Sequence, residues 1–145
     1  MAENHSDPLE TYHLDEQAGY LLRLANQRHT MIFQENTLYG LTATQFAALM
    51  RVSERGACSQ NHLGRLAAMD VATIKGVVDR LNQKGLTETQ QDPTDKRRML
   101  ISLSPKGQKV VEEMKDVGRR ITRETLSPLT AAEQRNLKKI LRKIV

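Results

Sequence analysis

The chain has 145 residues, with 22 Lys+Arg against 17 Asp+Glu and a net charge of +5, and is one domain by length, large enough to bury a core. Its single cysteine, Cys58, excludes an intramolecular disulfide and a thiolate metal site, and no apolar run nears the roughly 18 residues of a membrane span. With no Trp, three Tyr and two Phe, it lacks the aromatics of a single-strand stacking platform.

The polar, acidic start, MAENHSDPLETYHLDE, reads as neither a secretory signal nor a transit peptide, so a cytoplasmic protein is expected. From Leu14 to about Asn36, apolar residues recur at helical spacing: Leu14, Ala18, Leu21, Leu22, Ala25, Ile32 and Phe33. After a turn at Tyr39 and Gly40, Thr42 and Gln45 form a T-x-x-Q capping box, with Leu41 and Phe46 as its hydrophobic staple. That helix is expected to bury Phe46, Leu49 and Met50 and to end near Gly56. Ser59 caps a short helix, Gln60 to Ala67, with Leu63 and Leu66 inward.

Asp70 caps the next helix, whose Ile74, Val77, Val78 and Leu81 make a one-sided apolar stripe, and Gly85 stops it. Thr87 to Gln91 and Met99 to Leu103 are the two credible strands, joined through Asp92-Pro93-Thr94-Asp95 with proline placed for a type I turn. Ser104-Pro105 opens a long helix that buries Val110, Met114, Val117 and Ile121 and is broken at Pro128. Thr130 and Glu133 form a second capping box ahead of a stripe of Leu137, Ile140, Leu141 and Ile144. The first and last two helices carry more apolar surface than the middle of the chain needs, which points to packing against a second copy.

The charge is uneven. Residues 1–40 hold two Lys/Arg against six Asp/Glu, and residues 41–110 hold eleven against six. Within the basic region, the face of the Asp70 helix opposite its stripe holds Ala72, Gly76, Asp79 and Gln83, flanked by Thr73, Lys75 and Arg80. Gly76 inside a helix costs about 1 kcal/mol against alanine, and core packing does not explain it on an outward face. A groove-reading helix uses small residues there so that its backbone approaches base edges, with Thr73, Lys75 and Arg80 donating to bases or phosphates. The hairpin tip adds Lys96, Arg97 and Arg98. An arginine there can enter a minor groove while Asp95 orients a neighbouring guanidinium.

At this point the chain resembles the MarR family of bacterial transcription regulators. The resemblance rests on Ala72-Thr73-Ile74 leading into Val78-Asp79-Arg80-Leu81, Lys84-Gly85-Leu86, Asp92-Pro93-Thr94-Asp95-Lys96-Arg97 and Leu103-Ser104-Pro105-Lys106-Gly107. It implies a mainly α fold with a small β-hairpin: a winged helix-turn-helix core over 41–104, with dimerisation helices over 14–38 and 105–145. A homodimer on a roughly palindromic operator in double-stranded DNA follows from it. Arg97 matches the family's wing arginine and Asp95 its acidic partner, while Ser59, Gln60 and Asn61 match positions that commonly meet phosphate. Lys75 and Gly76 replace a hydroxyl residue and an arginine that the family often carries, and Thr89 stands where an arginine often precedes the wing.

The family commonly answers to small aromatic or phenolic anions, and the Leu21 to Phe33 segment resembles members tied to aromatic-acid catabolism. Arg23 is then expected to pair with a ligand carboxylate, His29 to bond a ring hydroxyl and Tyr39 to line the pocket. Cys58 is read first as a small buried residue and second as a redox switch. Catalytic motifs are absent from the sequence, the four histidines (His5, His13, His29 and His62) are scattered, and no enzyme, metal or cofactor is expected. The expected function is a ligand-released, DNA-binding repressor. A winged helix used only for protein contacts is the alternative.

Overall fold

A computed structural model describes residues 11–145, so His5 and the first ten residues lie outside the described part. The helix expected from Leu14 begins as a 3-10 turn, Leu14–Glu16, and continues as α1, Ala18–Asn36. α1 buries only Ile32 and Phe33. Leu14, Leu21, Leu22 and Leu24 remain exposed.

The first capping box forms as expected: the Thr42 hydroxyl accepts from the Gln45 N–H, and the Gln45 side chain accepts from the Thr42 N–H. It starts α2, Ala43–Arg55, which Gly56 ends at a φ of 77°. Leu49 is fully buried, whereas Phe46 and Met50 are half-buried and face a cleft against the long helix. Cys58–Ser59 then form a short strand, β1, which the sequence reading did not include. The sheet therefore has three strands in the order β1-β3-β2, where β2 is Thr87–Gln91 and β3 is Met99–Leu103, with Cys58 opposite Ile101 and Ser59 opposite Leu100.

The helix-turn-helix follows as α3, Gln60–Leu66, and α4, Val71–Gln83. Ser59 caps the first by accepting from His62 N–H, and Asp70 caps the second by accepting from Thr73 N–H at 2.7 Å. Gly64 lets the two helices close, since a Cβ there would sit 3.1 Å from both Ile74 Cγ2 and the Met69 carbonyl. The stripe of Ile74, Val77, Val78 and Leu81 is buried, and residues of α1, α2, α3, α4, β3 and the long helix that follows the sheet form a core around it. Burying each of those aliphatic side chains contributes about 1.5–3 kcal/mol.

β2 (Thr87–Gln91) and β3 (Met99–Leu103) pair antiparallel with the expected bounds. Beyond them, α5 spans Pro105–Leu126 and α6 spans Ala131–Ile144. Ser104 caps α5 by accepting from Gly107 N–H at 2.9 Å, and its hydroxyl donates to the Gly85 carbonyl. Gly107 is required by crowding: a Cβ would fall 1.9 Å from the Leu86 carbonyl oxygen. α6 opens with the expected Thr130–Glu133 capping box, yet none of its residues is buried.

Candidate nucleic-acid interface and ligand cleft

The outward face of α4 is bare. Ala72, Thr73, Lys75, Gly76 and Arg80 are all exposed, and nothing lies within 4 Å of a Cβ built on Gly76. Lys75 Nζ reaches Asp79 at 3.3 Å, an exposed i,i+4 pair that leaves most of its donors free. No carboxylate among the described residues lies within ion-pairing distance of Arg80. Val71 adds a 70% exposed apolar side chain at the start of the helix. Sequence reading missed it because it falls outside the apolar stripe.

α3 approaches the same side more sparingly. Asn61 is exposed and Gln60 half-buried, while the Ser59 hydroxyl serves as the cap. α4 and the sheet are fastened by Asn82, which accepts from the Thr87 hydroxyl at 2.6 Å and donates to the Thr89 hydroxyl at 2.9 Å. This bridge fixes the hairpin relative to the helix. Sequence reading gave Asn82 no role, because its partners lie five and seven residues downstream, across a turn.

The wing departs from expectation in two details. Its hydrogen-bonded turn is Asp95–Arg98, closed by Arg98 N–H to the Asp95 carbonyl at 3.0 Å, rather than Asp92–Asp95. The Asp92 carboxylate accepts from both the backbone N–H and the hydroxyl of Thr94, at 2.8 and 2.7 Å. Those bonds, from the Thr94 backbone first, hold its carboxyl below the ordinary value of 3.8, with Arg98 adding attraction. Asp95 likewise accepts from the backbone N–H of Arg97 at 3.0 Å, so it shapes the loop and does not grip a guanidinium. The carboxylate beside a wing guanidinium is Asp92, 3.9 Å from Arg98 Nε. Lys96 and Arg97 project from the tip without an ion-pair partner among the described residues.

The three expected ligand residues do not converge within one chain. His29 Nδ1 lies 2.9 Å from the Thr125 hydroxyl, and its neighbour Arg28 donates to the Glu124 and Thr125 carbonyls. Tyr39 donates its hydroxyl to Glu113, which raises the Tyr39 pKa. Glu113 and Thr125 are about 18 Å apart at 1.5 Å per helical residue. Arg23 lies on the exposed side of α1, its guanidinium 5.4 Å from the Tyr20 ring centre.

A separate cleft combines an apolar floor with basic walls. An open cleft of about 630 Å³ lies between α2 and α5. Its floor is Phe46, Met50 and Gly118, and Lys115, Arg119 and Arg123 line it with positive charge. Lys115 and Arg119 pair with Glu112 and Asp116 at 2.8 and 2.7 Å, and Arg123 has no ion pair among the described residues. A Cβ on Gly118 would stand 3.3 Å from Phe46 Cζ, so the glycine keeps the floor open. Sequence reading took in only the apolar stripe of α5 and gave Lys115, Arg119 and Arg123 no role.

Burial raises the Cys58 pKa and keeps the residue a thiol, in line with the first reading of it as a small buried residue. Among the described residues no cluster of three or more His, Cys, Asp or Glu could hold a metal, and no helix is long and apolar enough to cross a membrane.

A helix-turn-helix with a bare, partly cationic second helix and a cationic wing beside it defines a winged-helix DNA-binding protein. The sequence profile of the MarR family matches residues 41–99. The chain is 36% identical over 143 residues to the HTH-type transcriptional repressor NicR of Pseudomonas putida, covering 97% of this chain and 90% of the repressor. It therefore belongs to the MarR family of transcription regulators. Among solved structures, a probable transcriptional regulator from Pseudomonas aeruginosa is 49% identical, with a TM-score of 0.89 over 92% of this chain and all of the other. Bordetella bronchiseptica BpsR, whose DNA binding is regulated by 6-hydroxynicotinic acid, is 41% identical, with a TM-score of 0.87 over 92% of this chain and 96% of its own.

Proposed function

We propose that this regulator is a cytoplasmic homodimeric repressor that holds a roughly palindromic operator and releases it on binding a small aromatic carboxylate. The observation that carries the DNA reading is the open face of α4 around Gly76, set beside the free Lys96 and Arg97 of the wing. α4 enters the major groove, where Thr73, Lys75 and Arg80 meet base edges or phosphate and Val71 meets a thymine methyl. Ala72 and Gly76 let the backbone approach. Ser59, Gln60 and Asn61 face the phosphate strand, and Arg97 reaches into the adjacent minor groove with Asp95 holding its backbone. Residues 41–104 form this DNA-binding part, and 14–38 with 105–145 form the dimer.

Mobility-shift titration against duplex from the region of its own gene tests this. Binding tighter there than to random duplex, and weakening steeply with salt, is expected. Equal affinity for both duplexes would overturn sequence-specific binding.

The ligand reading rests on the cleft between α2 and α5. Its apolar floor suits a ring and its arginines suit a carboxylate, the bidentate pairing that guanidinium favours. A hydroxylated heteroaromatic acid of the kind that regulates BpsR fits this chemistry. Ligand bound there would favour a dimer whose two α4 helices are wrongly spaced for successive major grooves. Linkage requires such a ligand to raise the melting temperature. A thermal-shift series with hydroxybenzoates and hydroxynicotinates should find at least one that does so, and that does so less when Arg119 and Arg123 are replaced by alanine. A stabilising acid whose effect is untouched by those replacements would move the site elsewhere, and Arg23, His29 and Tyr39 would be tested next.

A further inference from the structure

The wing is braced within itself but joined to the rest of the chain over a short boundary. Gln91 donates to the Lys96 carbonyl at 2.9 Å, the Asp92 N–H donates to the Arg98 carbonyl, and the Asp92 carboxylate ties down Thr94. β2 buries only Thr87, and β3 buries only Ile101. Ile101 stands opposite Thr89 in the ladder, so the two side chains share the inner face of the sheet. The next pair on that face, Gln91 and Met99, is exposed. Anchoring by burial therefore ends at Thr89, and the cations of the tip stand beyond it.

The Asn82 bridge sits at this boundary. Its Oδ1 accepts from the Thr87 hydroxyl at 2.6 Å, and its Nδ2 donates to the Thr89 hydroxyl at 2.9 Å. Among the described residues, these are the only side-chain hydrogen bonds between α4 and the hairpin. Asn82 lies two residues after Arg80, on the helix that carries Thr73, Lys75 and Gly76. One amide thus spans from the outward-facing helix to the last anchored residue of the wing. Past Thr89 lie about 7 Å of strand and then the loop, so a small angular freedom at the bridge becomes a larger displacement at Arg97.

Two contacts on one duplex reinforce each other only when the link between them holds the span they need. α4 in a major groove and Arg97 in the adjacent minor groove are such a pair, whereas attraction of cations to phosphates tolerates variable spacing. The geometry points to Asn82 and Thr89 as positioning residues for DNA specificity: their bond sets the angle of the wing to α4, so that major-groove and minor-groove contacts form together. This rests on the reading that α4 and the wing both bind duplex DNA. It gives Thr89 a role that runs through Asn82 and not through a DNA contact of its own.

Removing Asn82 would leave the buried Thr87 hydroxyl without its acceptor, so Thr89 is the position to change. Thr89→Val keeps the side-chain shape and suits a strand, while Thr89→Ser keeps the hydroxyl. Fluorescence anisotropy of the full chain should find Thr89→Val about tenfold weaker than wild type on duplex from the region of its own gene. On random duplex it should stay within twofold. Thr89→Ser should retain the wild-type preference. In an Arg97→Gln background, where the minor-groove contact is already gone, Thr89→Val should cost less than twofold. Footprinting supplies a readout that a merely structural role would not move. At saturating protein, Thr89→Val should lose hydroxyl-radical protection in the minor groove and keep protection of guanine N7 in the major groove.

Binding by Thr89→Val within twofold of wild type on the own-gene duplex overturns the inference. So does an equal loss on both duplexes, or a loss as large in the Arg97→Gln background as without it. The wild type checks the underlying reading separately. If it shows no preference for the own-gene duplex, or no minor-groove protection, that reading falls and the inference falls with it.

Discussion

Two glycines place opposite demands on the same substitution. At Gly76 a methyl group meets open space, so alanine removes a flexible residue from a helix interior and should stabilise the free protein by about 1 kcal/mol. If the helix backbone must approach the bases, the same methyl should weaken operator binding. Gly76→Ala is thus expected to raise the melting temperature while lowering DNA affinity, measured on one preparation. At Gly107 the methyl would collide with the Leu86 carbonyl, a backbone atom that cannot swing aside. Gly107→Ala should cost about 3 kcal/mol, read as a shifted urea midpoint. The contrast gives a physical content to Leu103-Ser104-Pro105-Lys106-Gly107: the serine caps α5 and bonds the end of the α4 turn, and the glycine lets that turn lie against α5. Sequence alone placed both glycines but separated their roles only partly. The outward position of Gly76 follows from helical periodicity, whereas the crowding at Gly107 depends on the carbonyl of Leu86, far back along the chain.

At the scale of elements, the wing is held by polar bonds rather than by a core, and this exposes it to acid. Asp92 has a folded pKa below its ordinary value of 3.8 because Thr94 donates to its ionised form. Its stabilising contribution is therefore complete above that value and is lost as pH falls through the lower folded pKa. Amide exchange at Thr94, corrected for the intrinsic pH dependence of exchange, should show protection falling below about pH 3.8 and flat between about pH 5 and 7, and Asp92→Asn should remove that dependence.

The tip cations act outward. Replacing Lys96 and Arg97 by glutamine should leave the melting temperature nearly unchanged and reduce the slope of log affinity against log salt by about 1 for each phosphate-facing cation removed. A protein-binding wing would lose no DNA affinity under that change. β2, β3 and every helix with a strong cap were legible because alternation, capping boxes and the Ser-Pro start are local signals. β1 was not, since two residues carry no period and Cys58–Ser59 become a strand only by pairing with Leu100 and Ile101. The proposed ligand cleft escaped for a related reason: Phe46 and Met50 meet Gly118, Arg119 and Arg123 only when α2 packs on α5.

At the scale of the molecule, apolar surface stays uncovered on the first and last helices among the described residues. α6 has a capping box, an apolar stripe and no buried residue, and 14-residue helices are marginal on their own. What ties it back is Gln134, which donates to the Leu126 and Leu129 carbonyls, both at 3.1 Å. On α6, Ile140 and Ile144 are exposed, and at the other end of the chain so are Leu14, Leu21, Leu22 and Leu24. Apolar surface carried on both terminal helices is what a second copy would cover, and the basic α4 and wing would then occur twice on one particle. Charge placed on α6 separates this from a loosely packed monomer. Ile140→Glu with Ile144→Glu changes residues that are already exposed, so the single chain should lose little stability. A dimer interface would have to bury both carboxylates unpaired, a cost that disfavours association strongly. Sedimentation should find the wild type as a dimer and the variant as a monomer. Operator affinity should fall about 100-fold or more, because two linked half-site contacts become one. A variant that remains dimeric would place the interface elsewhere. A monomeric variant with undiminished operator affinity would mean that one chain reads the whole site.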